Sequence, residues 1–230
     1  MTYFEFLDST EKEKKLNKWE FDYHEGVTIE FQNVWFKYPN TDSYIFENLN
    51  FKINKNEKIA IVGTNGAGKT TIVKLICGLF EPNKGQVLVN NVDLKTIDKE
   101  DYQKLISTVF QDYDIYALTV LENVKVAYHN NMSYGLFSSI FRTKKYWKEE
   151  NEVHQKAQEI LEVLGLLEYK DELAQNLPYG KQRKLEIARA LATFPRLLCL
   201  DEPAAGMNPH ETEELMKTIK IIQENFINRT

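Results

Sequence analysis

An α/β fold is predicted by three features of this sequence. Short alternating segments rich in β-branched and aromatic residues fill the stretch from Val27 to Val62. The last of them runs straight into a glycine-rich turn at Gly63, and a long stretch from about Tyr113 to Asn176 carries mostly helical patterning. Together they describe an α/β core with an inserted α-helical subdomain.

Taken in order, residues 1–26 form a polar, charge-rich lead-in, in which TEKEKKLNKWE suits a helix or a linker. Strands are expected at Val27 to Val34, Leu49 to Ile53 and Lys58 to Val62, separated by turns at Pro39-Asn40 and Asn54-Lys55-Asn56. The turn at Gly63 opens a helix from Lys69 to about Leu79. Glu81-Pro82-Asn83-Lys84-Gly85 is a turn, Gln86 to Val89 another strand, and Ile106 to Phe110 an apolar strand. The helical subdomain covers about residues 113–178, with Ile160, Leu161, Val163, Leu164, Leu166 and Leu167 crowding one side of a helix whose other positions are charged. Helix Lys181 to Ala192, strand Arg196 to Leu200 and helix His210 to about Ile227 return to the core.

The chain has 230 residues, enough for one large domain or a core with a subdomain. Its net charge of -5 gives no global basic field to attract nucleic acid, so no nucleic-acid partner is expected. Cys77 and Cys199 both fall in apolar runs and suit core positions in a reducing compartment better than a disulfide framework. No apolar run approaches the ~18 residues of a membrane span, and MTYFEFLDSTEKEKK is too charged for a signal peptide. Work at a membrane would therefore proceed from its cytosolic face, through another chain or segment.

The chemistry lies in the turns. Ile59-Ala-Ile-Val-Gly-Thr-Asn-Gly-Ala-Gly-Lys-Thr-Thr71 sets an apolar strand before Gly63-x-x-x-x-Gly68-Lys69-Thr70, the phosphate-binding loop pattern in the context it requires. Glycines let the backbone curl so that successive N–H groups form a cradle for phosphate oxygens, across Gly63, Asn65, Gly66, Ala67, Gly68, Lys69, Thr70 and Thr71. Lys69 would reach the β- and γ-phosphates, the Thr70 hydroxyl would ligate Mg²⁺, and the helix N-terminus would add its dipole. The core is thus a phosphate-loop NTPase, and its ligand a nucleoside triphosphate.

Leu197-Leu-Cys-Leu-Asp201-Glu202-Pro203 is an apolar strand ending in two carboxylates, where a doubly wound sheet places its site. Asp201 suits the hold on Mg²⁺ and Glu202 the polarisation of the attacking water. Gln111, after the strand Ile106 to Phe110, offers an amide for the metal and the water, and Leu177-Pro-Tyr-Gly-Lys-Gln-Arg183 leads into a helix reading KLEIARALA.

The succession Tyr38, Gly63 to Thr71, Gln111, Leu177 to Arg183, Leu197 to Glu202 and Ala204-Ala-Gly-Met-Asn-Pro209 resembles the nucleotide-binding domain of ATP-binding-cassette (ABC) transporters, from about Val27 to the end of the chain. The resemblance implies an ABC ATPase domain over residues 27–230, with an antiparallel β subdomain beside the phosphate-loop core, binding ATP and Mg²⁺ and hydrolysing the ATP to power transport. Tyr38 would stack on adenine, although an aromatic there also suits core packing. Gln111 would couple the metal and the water to a transmembrane permease. Leu177 to Gln182, with Tyr179 and Gly180, would be the signature loop that acts on ATP held by a second ABC ATPase domain, and Ala204 to Pro209 would cross that head-to-tail dimer interface.

The chain departs from the common Leu-Ser-Gly-Gly-Gln signature, since it reads Leu177-Pro178-Tyr179-Gly180-Lys181 and Pro178 offers no N–H. LPYGKQRKLEIARALA followed by LDEPAAGMNPHET is similar to the ATPase subunits of branched-chain amino acid importers, and Met132 to Arg142 fits them too. The first half, with FEFLDS, EGVTIEFQNVWFKYP and VFQDYDIYALTVLENV, resembles exporter nucleotide-binding domains. The change of character falls near Val120 to Val126, as in a natural mosaic, a recombinant or a design. The family also has a further strand, ending in a switch histidine, after the helix that follows Glu202. The chain ends at Thr230 before it, so the domain is expected to be C-terminally incomplete. His24, His129, His154 and His210 are expected at the surface. Two other readings stay open: a nucleotide-binding fragment without turnover, and a soluble ABC ATPase with no membrane partner.

Overall fold

The computed structural model describes residues 26–64, 66–111, 116–128 and 144–224. The lead-in, Asn65 and the segment Met132 to Arg142 lie outside them. The chain forms two compact units, Met1–Gln103 and Lys104–Thr230.

The first unit is built on an antiparallel sheet of four strands in the order β2-β1-β3-β4. Strand β1, Ile29–Phe36, buries Ile29, Phe31, Val34 and Phe36, so the apolar spacing slips from two residues to three across Gln32-Asn33. A perfect period of two would turn Val34 to the wrong face. The structure resolves the conflict with a bulge: the pairing to β2, Phe46–Ile53, shifts between Phe31 and Val34, and Asn33 takes a left-handed φ of 52°. Gly85 makes the bulge possible, because a Cβ there would lie 2.2 Å from the Asn33 carbonyl oxygen. It opens β3, Lys84–Val89, which pairs with β1 on the other side. Asn90 and Asn91, at φ 48° and 65°, turn the chain into the two-residue β4, Val92–Asp93. Both central residues of that hairpin turn need positive φ, which asparagine tolerates.

Helix α1, Lys69–Ile76, buries Ile72, Val73, Leu75 and Ile76, each worth about 1.5–3 kcal/mol when fully removed from water. It stops three residues short of the expected Leu79. Gly78 takes a left-handed φ of 66°, and the Gly78 and Leu79 N–H groups donate to the Leu75 and Lys74 carbonyls, closing the helix end. Helix α2, Lys99–Gln103, packs Tyr102 inward, and its hydroxyl donates to the Ile76 carbonyl at 2.6 Å.

One expectation fails here. No strand forms at Lys58 to Val62: residues 57–64 have no regular structure, and Val62 is 90% exposed. A strand exists only where a neighbour accepts its ladder, and among the described residues no strand pairs with this segment.

In the second unit β5, Ile106–Val109, pairs in parallel with β6, Leu197–Leu200, in register from Ile106 against Leu197 to Val109 against Leu200. Among the described residues four helices accompany this pair: α3, Val120–Tyr128; α4, Lys144–Val163; α5, Tyr179–Leu191; and α6, Pro209–Ile222. Their inward residues, among them Val124, Ile160, Leu185, Ile187 and Leu215, form one continuous core with Val109 and with Leu164 just past α4. Thr119 and Glu122 exchange hydrogen bonds at the start of α3, and Asn208 and Glu211 do the same for α6. Both are reciprocal caps for helix N–H groups that lack a partner within the helix. Short 3₁₀ turns at Leu167–Tyr169 and Ala174–Asn176 lead to α5, which starts two residues before the expected Lys181 because Pro178 serves as its N-cap.

Candidate functional site

The phosphate loop joins the exposed segment ending at Val62 to α1. Its shape is set by glycines: Gly66 and Gly68 have φ of 81° and 89°, a region L side chains rarely enter. Gly68 is the N-cap of α1, and it places no side chain over the helix N-terminus. A Cβ at Gly68 would lie 2.6 Å from the Phe46 ring, whereas one at Gly66 would meet nothing within 4 Å. The loop is therefore packed at its base and open at its tip. The Ala67 N–H donates to the Thr64 carbonyl at 3.1 Å, and the Lys69 ammonium folds back to donate to the Gly63 and Thr64 carbonyls at 3.0 and 3.1 Å. A lysine held across the loop in this way, with backbone N–H groups and the Thr70 hydroxyl beside it, is a donor set suited to a triphosphate carrying a hard dication.

Tyr38 belongs to the same unit and meets α1. Its hydroxyl lies 3.1 Å from Thr71 Oγ1, and its ring packs edge-on against Phe36 and Phe80, each at 5.2 Å. The Lys74 ammonium sits 5.7 Å from its centroid. Half-exposed, the ring borders an open hollow of about 530 Å³ shared with Lys37, Pro39, Thr41 and Phe80. Asn65 lies outside the described residues.

The acidic pair belongs to the second unit. The Asp201 N–H donates to the Val109 carbonyl at 2.9 Å, continuing the β5–β6 ladder by one residue, and Asp201 is 4% exposed. Glu202 then takes a left-handed φ of 45°, and the Ala205 N–H closes the turn on its carbonyl at 3.0 Å. Positive φ in a residue with a long side chain costs free energy and is characteristic of functional turns. Gln111 is exposed two residues past β5, so parallel pairing brings Gln111 and Asp201-Glu202 to the same end of the two strands. Among the described residues no group of three metal-binding side chains occurs. A dication here would rest on one or two carboxylates and phosphate oxygens, as Mg²⁺ does.

The loop before α5 is tied to the loop after Glu202. The Tyr179 hydroxyl donates to the Ala205 carbonyl at 2.9 Å, and Gly206, at φ 76°, lies against the Tyr179 ring. Gly180 sits under Glu211, where a Cβ would lie 3.0 Å from the carboxylate. His154 and His210 are exposed, while His24 and His129 lie outside the described residues. Cys199 is buried and Cys77 half-buried.

In the sequence Arg183 is named only as the end of the Leu177 to Arg183 segment, with no role for its side chain. Arg183 is 1% exposed, and its guanidinium donates to the carbonyls of Phe110, Asp201 and Pro203 at 2.7, 3.1 and 3.4 Å. A signal existed: Arg183 shares one stripe of α5 with buried Ile187 and Leu191, at the four-residue spacing of a helix face.

Residues 46–205 match the ABC transporter family. The chain belongs to this family. The matched span holds the phosphate loop, Gln111, the start of α5 and the acidic pair; Tyr38 precedes it. The chain is 38% identical over 174 residues to the high-affinity branched-chain amino acid transport ATP-binding protein LivG of Escherichia coli K12, covering 75% of this chain and 68% of LivG. Among solved structures it is similar to CbiO1 of Clostridium perfringens, part of the CbiONQ ABC transporter complex, with a TM-score of 0.72 at 25% identity over 86% of this chain and 74% of CbiO1. A bacterial Atm1-family ABC exporter with ATP bound shares the fold at a TM-score of 0.73 and 19% identity, over 96% of this chain and 36% of the exporter. Among the described residues of this ABC family member, no helix is long and apolar enough to cross a membrane.

Proposed function

We propose that this chain is the ATP-hydrolysing domain of an ABC transporter, working as a head-to-tail nucleotide-sandwich dimer against a transmembrane permease at the cytoplasmic face of a membrane. The reading is carried by one observation: within the span that matches the family, a lysine-bearing glycine loop caps a helix, and a buried aspartate followed by a left-handed glutamate ends a paired strand. Resemblance to a branched-chain amino acid transport ATP-binding protein over three quarters of the chain supports a transport role.

In this reading Gly63 to Thr71 bind the phosphates through backbone N–H groups, and Lys69 leaves the Gly63 and Thr64 carbonyls to meet the β- and γ-oxygens. Tyr38 offers the open side of its half-exposed ring to the adenine. Thr70, Gln111 and Asp201 would hold Mg²⁺, which when bound would supply electrostatic stabilisation of charge on the transferring phosphoryl group. Glu202 accepts the proton of the attacking water at its carboxylate, and Gln111 orients that water. Tyr179 and Gly180 face ATP bound by the second domain, with Gly180 N–H a contact that Pro178 lacks.

Glu202→Gln tests the assignment, because it removes the base and keeps the shape. ATP affinity should stay the same while phosphate release slows by at least ~100-fold, the lower range for losing a general base. Equal release by the variant and the parent would remove Glu202 from the mechanism. A parent that binds ATP and releases no phosphate would leave a nucleotide-binding fragment.

A further inference from the structure

Arg183 is buried at the point where the two functional strand ends meet. Of the carbonyls it donates to, those of Asp201 and Pro203 stand on either side of Glu202, and that of Phe110 belongs to the peptide that leads into Gln111. A guanidinium is planar, and its N–H donors point in fixed directions. Three acceptors on one such fork are held in a common geometry. Glu202 needs that support, since its φ of 45° is a conformation that persists only where the surroundings over-determine it.

We propose that Arg183 is a positioning residue for hydrolysis: it clamps the peptides flanking Glu202 into the left-handed turn and fixes them to the peptide before Gln111. The carboxylate and the amide are thereby registered to each other through the backbone, although they lie on separate strands. Arg183 also sits on α5, four residues past Tyr179, so the helix that begins with the signature loop carries the clamp. The catalytic consequence rests on the roles proposed above for Glu202 and Gln111, and the backbone consequence does not.

Arg183→Met keeps the apolar stem and removes the fork, and Arg183→Lys keeps the charge without the planar array of donors. Amide hydrogen exchange and phosphate release per bound ATP are then measured on the parent and both variants. In Arg183→Met the Asp201 and Ala205 amides should exchange at least ~10-fold faster, while those of Val120–Tyr128 change by less than about twofold. Release per bound ATP should fall at least ~10-fold with ATP affinity within about threefold, and Arg183→Lys should recover part of both losses. A role confined to global stability would speed exchange throughout the second unit and leave release per bound ATP unchanged, and that result overturns the proposal. So does an Arg183→Lys protein no better than Arg183→Met. If the parent binds ATP but releases no phosphate, the hydrolysis reading fails, while selective exchange at Asp201 and Ala205 still upholds the clamp and uniform exchange still sinks it.

Discussion

Ile59 to Val62 and Leu197 to Leu200 are near twins in sequence: each is an apolar run that ends in a polar turn followed by a helix. In the fold they differ completely. Leu197–Leu200 is paired with β5 and leads to an Asp201 that is 4% exposed, whereas the earlier run has no ladder and Val62 is 90% exposed. The contrast shows that an apolar run supplies the tendency to be buried, and only a neighbouring backbone makes it a strand. The phosphate loop keeps its left-handed glycines and its helix cap even so, because those features are local. The acidic turn depends on Arg183, a residue distant in sequence, and is therefore a tertiary construction.

If the loop is the local site and Lys69 its mobile cation, Lys69→Ala should have the largest effect. It removes an ammonium whose hydrogen bonds to charged groups contribute about 1.5–3 kcal/mol each, so ATP affinity should fall at least ~100-fold. Equilibrium titration with a fluorescent ATP analogue measures this. Unchanged affinity would break the assignment of the loop.

The glycines sharpen the same point. Gly68→Ala combines a left-handed alanine, about 1–2 kcal/mol, with a Cβ 2.6 Å from Phe46 and an overpacking cost of about 1–3 kcal/mol. Gly66→Ala meets nothing within 4 Å and should show the backbone cost alone. Thermal unfolding should rank Gly68→Ala well below Gly66→Ala, and the reverse order would mean that the base of the loop is not packed as described.

What could be read from the sequence follows the same division between local and tertiary. The loop motif and the β3 strand are written in nearest neighbours, and each was legible. The bulge in β1 was not, because the slip at Gln32-Asn33 becomes a bulge only once β2 and β3 are in place beside it. The exposed Lys58 to Val62 was misread for the complementary reason: its pattern is that of a strand, and pattern alone does not provide the partner. Arg183 reads in the sequence only as the end of the Leu177 to Arg183 segment, and the carbonyls it meets lie on other segments that only the fold brings to it.

Exchange of backbone amides tests the twin runs directly. Amides of residues 59–62 should exchange orders of magnitude faster than those of residues 198–201, since the former have no ladder and the latter lie in a paired strand and its one-residue extension. Comparable protection in the two runs would dissolve the comparison.

The smallest effect is electrostatic and again separates the units. In the first, Glu30 is held below the usual carboxylate range by hydrogen bonds from Gln32 and Lys52, and in the second Glu122 is held below it by the Thr119 N–H and hydroxyl. A carboxyl whose folded pKa is depressed adds stability above its unfolded pKa, and that stability is lost as pH falls through the folded value. Both units should therefore weaken on acidification from about pH 5 to about pH 3, and Glu30→Gln or Glu122→Gln should flatten part of the slope. Salt distinguishes them. The Lys52–Glu30 pair, at 3.0 Å and half-exposed, is screened by added ions, whereas a bond from a helix-capping N–H is neutral on the donor side and far less sensitive. Raising ionic strength should shrink the effect of Glu30→Gln and leave that of Glu122→Gln nearly intact. Equal salt dependence for the two variants would show that the Glu122 cap acts as an ion pair, most directly with Lys125, instead of through the backbone.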